Sequence, residues 1–538
     1  MFGMSDPNRE AMSRVDTAWL RMERSTNLMM ISGVLVFDSP LDVARFKRTL
    51  AERFLAFRRF RQRAVDLGGQ AFWEFDKDFD LNWHVRRVAL PGKATKEELE
   101  EYVSQLASSP LDKSKPLWQF HIVENYRGGS ALVSRIHHCY ADGIALVQVL
   151  LSLTDTTDKP EVFGKPEKAR LKTEGGTVLQ RLLEPARHGL DQIKSLGEQA
   201  FEGFIGYAKD PQRAYGLVKS GAEEVGDIVS ELATALTLPD DPITLFRGPL
   251  GVSKRVAWCE PISLELVKTI GKALDCTVND LLMACAAGAL REYLIEEGEC
   301  PLTGIRATVP VNLRPLEHTK KLGNHFGLVF LDLPVHEANP VARVKIVRDC
   351  MQKLKGSRQA IVSFGLLAAL GLGPSVVQKP ALEMFSRKAS AVATNVPGPQ
   401  VALYLAGSKI CEQMFWVPQT GSIGMGISIL SYNGQVYFGL ITDAKNVPVP
   451  DRIVQRFKPE LEKLLLLTLM GDWRGGPLSA EAALALLEKP VRAEPELVKT
   501  SRAAAKAKRS PESLRTASST NKPSKLPRKT AAKAAGKR

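Results

Sequence analysis

The chain holds 538 residues, 44% hydrophobic and 25% charged, an ordinary globular balance long enough for two or three domains and for a core that encloses a tunnel. Its formal net charge of +14 suggests nucleic acid or a membrane until it is located: residues 491–538 carry fourteen Lys and Arg against three Glu, a net +11, leaving about +3 for everything before them. Seven cysteines without a C-x-x-C pair give neither a disulfide framework nor a zinc knuckle, which fits a reducing, cytoplasmic compartment.

In chain order, the first residues, "MFGMSDPNREAMSRVDTAWLRMER", are charged throughout and lack the apolar centre of a signal peptide. Residues 41–65 repeat apolar side chains at helical spacing. "LWQFHIVENY" (117–126) alternates Trp118, Phe120 and Ile122 and predicts a strand; after the turn signal "RGGS", "ALVSRIHH" (131–138) predicts another. From Asp142 the pattern turns helical. Residues 156–245 open with a polar, proline-containing connector and continue as two amphipathic helical patterns, a bridge between two halves.

The second half, 246–485, alternates again. "TVNDLLMACAAGALREYLIEEG" (277–298) predicts a helix capped by Thr277. "IRATVPVNLRP" and "FGLVFLDLPV" predict strands, and "SIGMGISILSYNGQVYFGLITD" a hairpin turning at Asn433-Gly434. "IVSFGLLAALGLGPSVV" (361–377) is interrupted by Gly371, Gly373 and Pro374, so it reads as a cavity-lining or membrane-touching helix, too short to span. Residues 486–538, rich in Lys, Ala, Ser and Pro, are expected to be disordered.

Chemistry gathers at "SRIHHCYADGIAL" (134–146), where two of the chain's eight histidines are adjacent. Neighbours on a strand point to opposite faces, so His137 and His138 converge poorly on one metal ion. Asp142 is a favoured helix N-cap, and one histidine beside it then serves as a buried, hydrogen-bonded core residue. Alternatively, one imidazole faces a cleft at this strand-to-helix corner, where it takes a proton from a hydroxyl as that hydroxyl attacks an acyl group. No G-x-S-x-G elbow is present, so a serine nucleophile is unsupported.

The H-H-x-x-x-D-G pattern resembles that of the coenzyme A-dependent acyltransferase superfamily. With "SRVDTAWLRMERSTNLMMISGVLVFD" (13–38), "PLDKSKPLWQFHIVE" (110–124), "TVNDLLMACAAGALREYL" (277–294), "ATVPVNLRP" (307–315), "LGNHFGLVFLDLPV" (322–335) and "ATNVPGP" (393–399) in order, residues 10–475 resemble the bacterial wax ester synthase/acyl-CoA:diacylglycerol acyltransferases. The resemblance implies an α/β fold of two chloramphenicol-acetyltransferase-like lobes, 1–155 and 246–485, each a mixed sheet with flanking helices. It implies a tunnel between them, with acyl-CoA as substrate and no cofactor or metal. His138 would be the general base, His137 its support, Asp142 an orienting residue and Gly143 the residue permitting the turn. Asn279 is then a candidate oxyanion donor, since its amide can donate and the neighbouring Asp280 carboxylate cannot. Pro116, Leu117, Trp118, Asn395, Pro397 and Gly398 would line the tunnel, although core packing suits Trp118 equally. Cys139 beside the motif reads as a small buried residue.

The implied reaction is acyl transfer from acyl-CoA to diacylglycerol or a fatty alcohol. An amide-forming condensation module and a non-enzymatic lipid-binding or droplet protein are the competing readings. The basic tail suits peripheral attachment to the inner membrane or a lipid droplet, where each Lys or Arg near anionic lipid contributes roughly 1 kcal/mol; no specific nucleic acid is expected.

Overall fold

Alternation of period two organises the first half. The strand Met30–Phe37 buries every second residue and more, and it lies at the centre of a sheet assembled from both halves of the chain. The computed structural model describes residues 8–159 except 68, 238–313, 323–363 except 356, 358 and 361, 383–471 except 420, and 479, 481 and 482. Most of the expected helical bridge, most of the apolar stretch 361–377 and all of the basic tail lie outside the described residues.

The first half contains β1 (Arg9–Ala11), α1 (Arg14–Met22), β2 (Met30–Phe37), α2 (Val43–Thr49), β3 (Gln62–Leu67), β4 (Gln70–Phe75), α3 (Leu81–His84), β5 (Val85–Ala89), α4 (Lys96–Ala107), β6 (Trp118–Tyr126), β7 (Gly129–His137) and α5 (Gly143–Leu153). The second half contains β8 (Lys254–Trp258), β9 (Ile262–Ser263), α6 (Leu264–Ala273), α7 (Val278–Glu296), β10 (Ile305–Asn312), β11 (Phe326–Leu333), α8 (Pro340–Lys355), β12 (Ala391–Pro397), β13 (Tyr404–Leu405), β14 (Ser408–Trp416), β15 (Met425–Tyr432), β16 (Gln435–Asp443) and α9 (Asp451–Met470).

One sheet runs β13-β14-β2-β7-β6-β5, antiparallel except for β5 beside β6. The other runs β11-β10-β12-β15-β16-β8, with β9 also on β16 and β12 parallel to both neighbours. Both sheets are therefore mixed. A small third sheet, β1-β4-β3, flanks the first. The hairpin turns are two-residue turns with positive φ: Arg127 (50°) and Gly128 (81°), then Asn433 (48°) and Gly434 (74°), the backbone that matches strand twist.

The two halves are not separate sheets on a string. β14, from the second half, pairs antiparallel with β2 and so completes the first-half sheet. A second seam joins α4 to the edge of β8. The backbone N–H groups of Trp258, Val256 and Lys254 donate to Glu100 Oε1 (3.1 Å), Ser104 Oγ (3.0 Å) and Ser108 Oγ (2.8 Å). Four helix residues rise about 6 Å and two strand residues about 6.6 Å, so the two ladders stay in step.

Residues 41–65 depart from the single helix their spacing suggests. α2 gives way to a π turn at Leu50–Phe54 and a 3-10 turn at Arg58–Arg61, and β3 begins at Gln62. Phe54 and Phe60 stack at 3.9 Å inside the core, and the Phe60 carbonyl accepts the Trp118 indole N–H. Closing that core turns the chain away from a straight helix. In the second half, ten successive residues of α7, Leu281–Leu290, are buried, as expected of a helix covered on all sides. The α9 residues Leu461, Leu464 and Leu467 pack in the same core, while Leu466, Leu469 and Met470 are exposed.

Candidate active site

β7 delivers the paired histidines. His137 N donates to Leu117 O at 2.9 Å, which ties the end of β7 to the start of β6, and His138 N donates to Met29 O at 2.7 Å, just before β2. The rings then part. His137 Nδ1 lies 3.1 Å from the Cys139 N–H, and its Nε2 stands 3.1 Å from Glu23 Oε2. Glu23 also pairs with Lys113 at 2.9 Å. Burial pushes the Glu23 carboxyl up, but His137 and Lys113 outweigh it and hold its pKa at about 2.

His138 lies in a different environment. It is 5% exposed and stacks on Trp19 of α1, with ring centroids 4.1 Å apart and planes 17° from parallel. Phe326 packs against both rings, with its centroid 5.6 Å from that of His138 and 5.6 Å from that of Trp19. Burial lowers the His138 pKa from an ordinary 6.5 to about 4, with Asp142 the strongest opposing influence. The imidazole is therefore neutral at pH 7.

The loop before β11 completes the corner. Asn324 Nδ2 donates to Asp16 Oδ1 at 2.8 Å and to the His138 carbonyl at 2.9 Å, and Asn324 N donates to the same Asp16 oxygen at 3.1 Å. Asp142 caps α5 through Ala145 N at 2.8 Å and takes His325 N at 3.0 Å. Motif, first helix and second-half loop are thus joined by hydrogen bonds on both sides of His138. Asp16, Trp19, Glu23 and Asn324 were not singled out from the sequence; the only signal was their position inside the segments 13–38 and 322–335 that carry the resemblance.

Gly143 needs correction. It is the first residue of α5 with no left-handed backbone angle, and a Cβ built on it meets no described atom within 4 Å. The turn does not require glycine. Cys139 is wholly buried, and burial pushes its thiol well above the ordinary value, which removes a thiolate nucleophile.

The remaining candidates fall into two groups. Pro116, Leu117 and Trp118 support the motif from within the core: Leu117 N donates to the Tyr140 hydroxyl at 3.0 Å, and Trp118, 0% exposed, stacks on His84 at 4.1 Å. In the second half, Asn395 Nδ2 donates to Asn279 Oδ1 at 2.8 Å, and Asn279 Nδ2 reaches Met351 Sδ only at 4.0 Å. Asp280 and Thr277 form a reciprocal capping box. Pro397 ends β12, and Gly398 N donates to Ser431 O at 2.8 Å. No hydrogen bond or ring contact among the described residues joins Asn279 or Asn395 to His138. A small crevice of about 10 Å³, room for roughly one water, lies between the halves and includes Met30, Ser32, Lys254, Gln419 and Ile441 in its wall; Met30 is the cross-strand partner of His137.

Comparison with known families matches residues 12–282 to the wax ester synthase/diacylglycerol acyltransferase catalytic domain and residues 322–465 to the WS/DGAT C-terminal domain. The chain belongs to the wax ester synthase/diacylglycerol acyltransferase family. Two Mycobacterium tuberculosis proteins of similar sequence carry the names "Probable diacyglycerol O-acyltransferase tgs1" and "tgs2". The first is 26% identical over 471 residues, 85% of this chain and 96% of its own; the second is 28% identical over 469 residues, 84% and 97%. Among solved structures, the wax ester synthase/diacylglycerol acyltransferase of Marinobacter aquaeolei VT8 has a TM-score of 0.60 at 22% identity, over 86% of this chain and 100% of that one. The first condensation domain of the calcium-dependent antibiotic synthetase has a TM-score of 0.52 at 14% identity, over 84% and 97%. These two likenesses show the two-lobed α/β fold. As a member of that family the protein is an acyltransferase, and the histidine corner lies within the segment matched to the family's catalytic domain.

Proposed function

We propose that this acyltransferase moves a long-chain acyl group from acyl-CoA to the hydroxyl of diacylglycerol or of a fatty alcohol, with His138 as general base and no covalent enzyme intermediate. The observation that carries the proposal is a neutral imidazole, buried and stacked, whose backbone is held by Met29, just before β2, and by the second-half loop at once. His138 takes the proton of the lipid hydroxyl as its oxygen attacks the thioester carbonyl. The tetrahedral intermediate then collapses, the carbon–sulfur bond breaks, and the imidazolium returns the proton to the departing CoA thiolate. Nearby Asp142 favours the transient imidazolium.

Acyl-CoA and the acceptor are the only small molecules this reaction needs. If Asn279 serves the acyl oxygen, it does so from its amide nitrogen, since its Oδ1 is committed to Asn395. Peripheral attachment to the inner membrane or a lipid droplet through the basic residues 491–538 is part of the same reading. No single helix among the described residues is long and apolar enough to cross a bilayer.

The test is direct. Purified protein with palmitoyl-CoA and either dioleoylglycerol or hexadecanol releases free CoA thiol, and His138→Ala abolishes that release while the circular dichroism spectrum stays unchanged. Turnover that survives the substitution removes the base.

A further inference from the structure

The stack on His138 contains an unpaired donor. Trp19 is 4% exposed, and its indole Nε1 is buried with no hydrogen-bond partner among the described residues. The contrast is Trp118, whose equally buried Nε1 donates to Phe60 O at 2.8 Å. A buried donor left unmade costs about 1–3 kcal/mol, so an acceptor arriving with the substrate would recover that cost. The indole N–H lies in the plane of its ring. In a near-parallel stack with centroids 4.1 Å apart, it points out along the layer above the imidazole and not into it.

We propose that Trp19 Nε1–H is a hydrogen-bond donor to the acyl carbonyl oxygen of the bound thioester, the oxygen that becomes the oxyanion. This rests on the reading of His138 as the base. The attacking oxygen and the oxyanion hang on one carbon, so a donor to the second must lie close to the base that serves the first. Trp19 touches that base. Among the described residues, Asn279 has no such contact, and its nearest partners are Asn395 and Met351. An indole is also suited to the surroundings: one edge donates while the rest of the ring buries apolar surface beside an acyl chain.

Trp19→Phe keeps an aromatic ring against His138 and deletes the N–H. Loss of a dedicated oxyanion donor lowers kcat by about 10²-fold, with the KM for palmitoyl-CoA and the thermal midpoint little changed. Replacing Trp19 by benzothienylalanine, which has sulfur in place of the N–H, gives the same fall and decides the matter where Trp19→Phe folds poorly. Trp416 is the internal control, because its buried Nε1 also lacks a partner but its only aromatic neighbour among the described residues is Trp258; Trp416→Phe leaves kcat within about 3-fold of the parent protein. A readout independent of turnover is the indole proton resonance of Trp19 in ¹⁵N-labelled His138→Ala protein, assigned by its loss in Trp19→Phe, which moves downfield on adding palmitoyl-CoA. Full kcat in both Trp19 variants, with His138→Ala inactive, overturns this inference and leaves the base in place. An active His138→Ala overturns the base and this inference with it.

Discussion

Asp142 Oδ2 accepts the backbone N–H of His325 at 3.0 Å while its Oδ1 caps α5 at Ala145. One carboxylate thus holds together the strand-to-helix corner of the first half and the loop entering β11 of the second. That same loop carries Asn324, whose amide holds the His138 carbonyl. An asparagine at this position has one acceptor oxygen where two N–H groups need one each. Asp142→Asn therefore leaves a buried donor unmade and lowers the unfolding free energy by about 1–3 kcal/mol. It also slackens the loop behind His138, so CoA release falls more than stability alone would explain. Urea unfolding and initial rates under conditions where the variant remains folded check this; a variant equal to the parent in both refutes the role.

Acid lability follows from the buried imidazoles. His84, His121 and His138 are each lowered from 6.5 to about 4, in every case chiefly by burial. Between those values the unfolded chain binds protons that the folded chain refuses, so stability rises with pH through this window and is complete above about 6.5. Glu23 works lower: its carboxyl, held at about 2 against an ordinary 4.5, contributes stability that is whole above 4.5 and is lost as pH falls towards 2. The urea midpoint should decline steadily from pH 6.5 to 4, and His138→Ala should flatten part of that slope. The acid limb of kcat/KM, which reports the free enzyme's base, should lie near pH 4; a half-drop near pH 6.5 in still-folded protein would mean that the imidazole titrates as an exposed one.

Local features were legible in the sequence because local geometry demands particular residues. Asp142 as N-cap, Thr277 as cap and the Asn433-Gly434 turn all appear where the chain wrote them. What joins the halves was not legible. Asp16 and Asn324 are 308 residues apart, and Glu100 meets Trp258 across 158. Nothing in the sequence singles out Ser104 and Ser108, whose hydroxyls take the backbone N–H groups of Val256 and Lys254 at the edge of β8. β14 likewise has the alternation of any strand; its choice of β2 as neighbour depends on shape and edge, which no period reports. The site was therefore half visible: His138 could be named as a candidate, whereas Trp19, Asp16 and Asn324, which surround and hold it, could not be given roles.

Gly143 separates folding from substrate space. Helical backbone at the first turn of α5 suits alanine at least as well as glycine, and a Cβ there meets no described atom within 4 Å. Gly→Ala at such a position gains up to about 1 kcal/mol when the geometry allows it. Gly143→Ala should accordingly unfold at the same urea concentration as the parent or higher. The space a methyl group would fill there is open among the described residues, so a substrate that uses that space would be displaced by it. The expected result is a stable protein whose kcat/KM falls several-fold, more for dioleoylglycerol than for the slimmer hexadecanol. Unchanged kinetics with both acceptors would show that no substrate passes this face of the helix, and the open space at Gly143 would then have no part in the reaction.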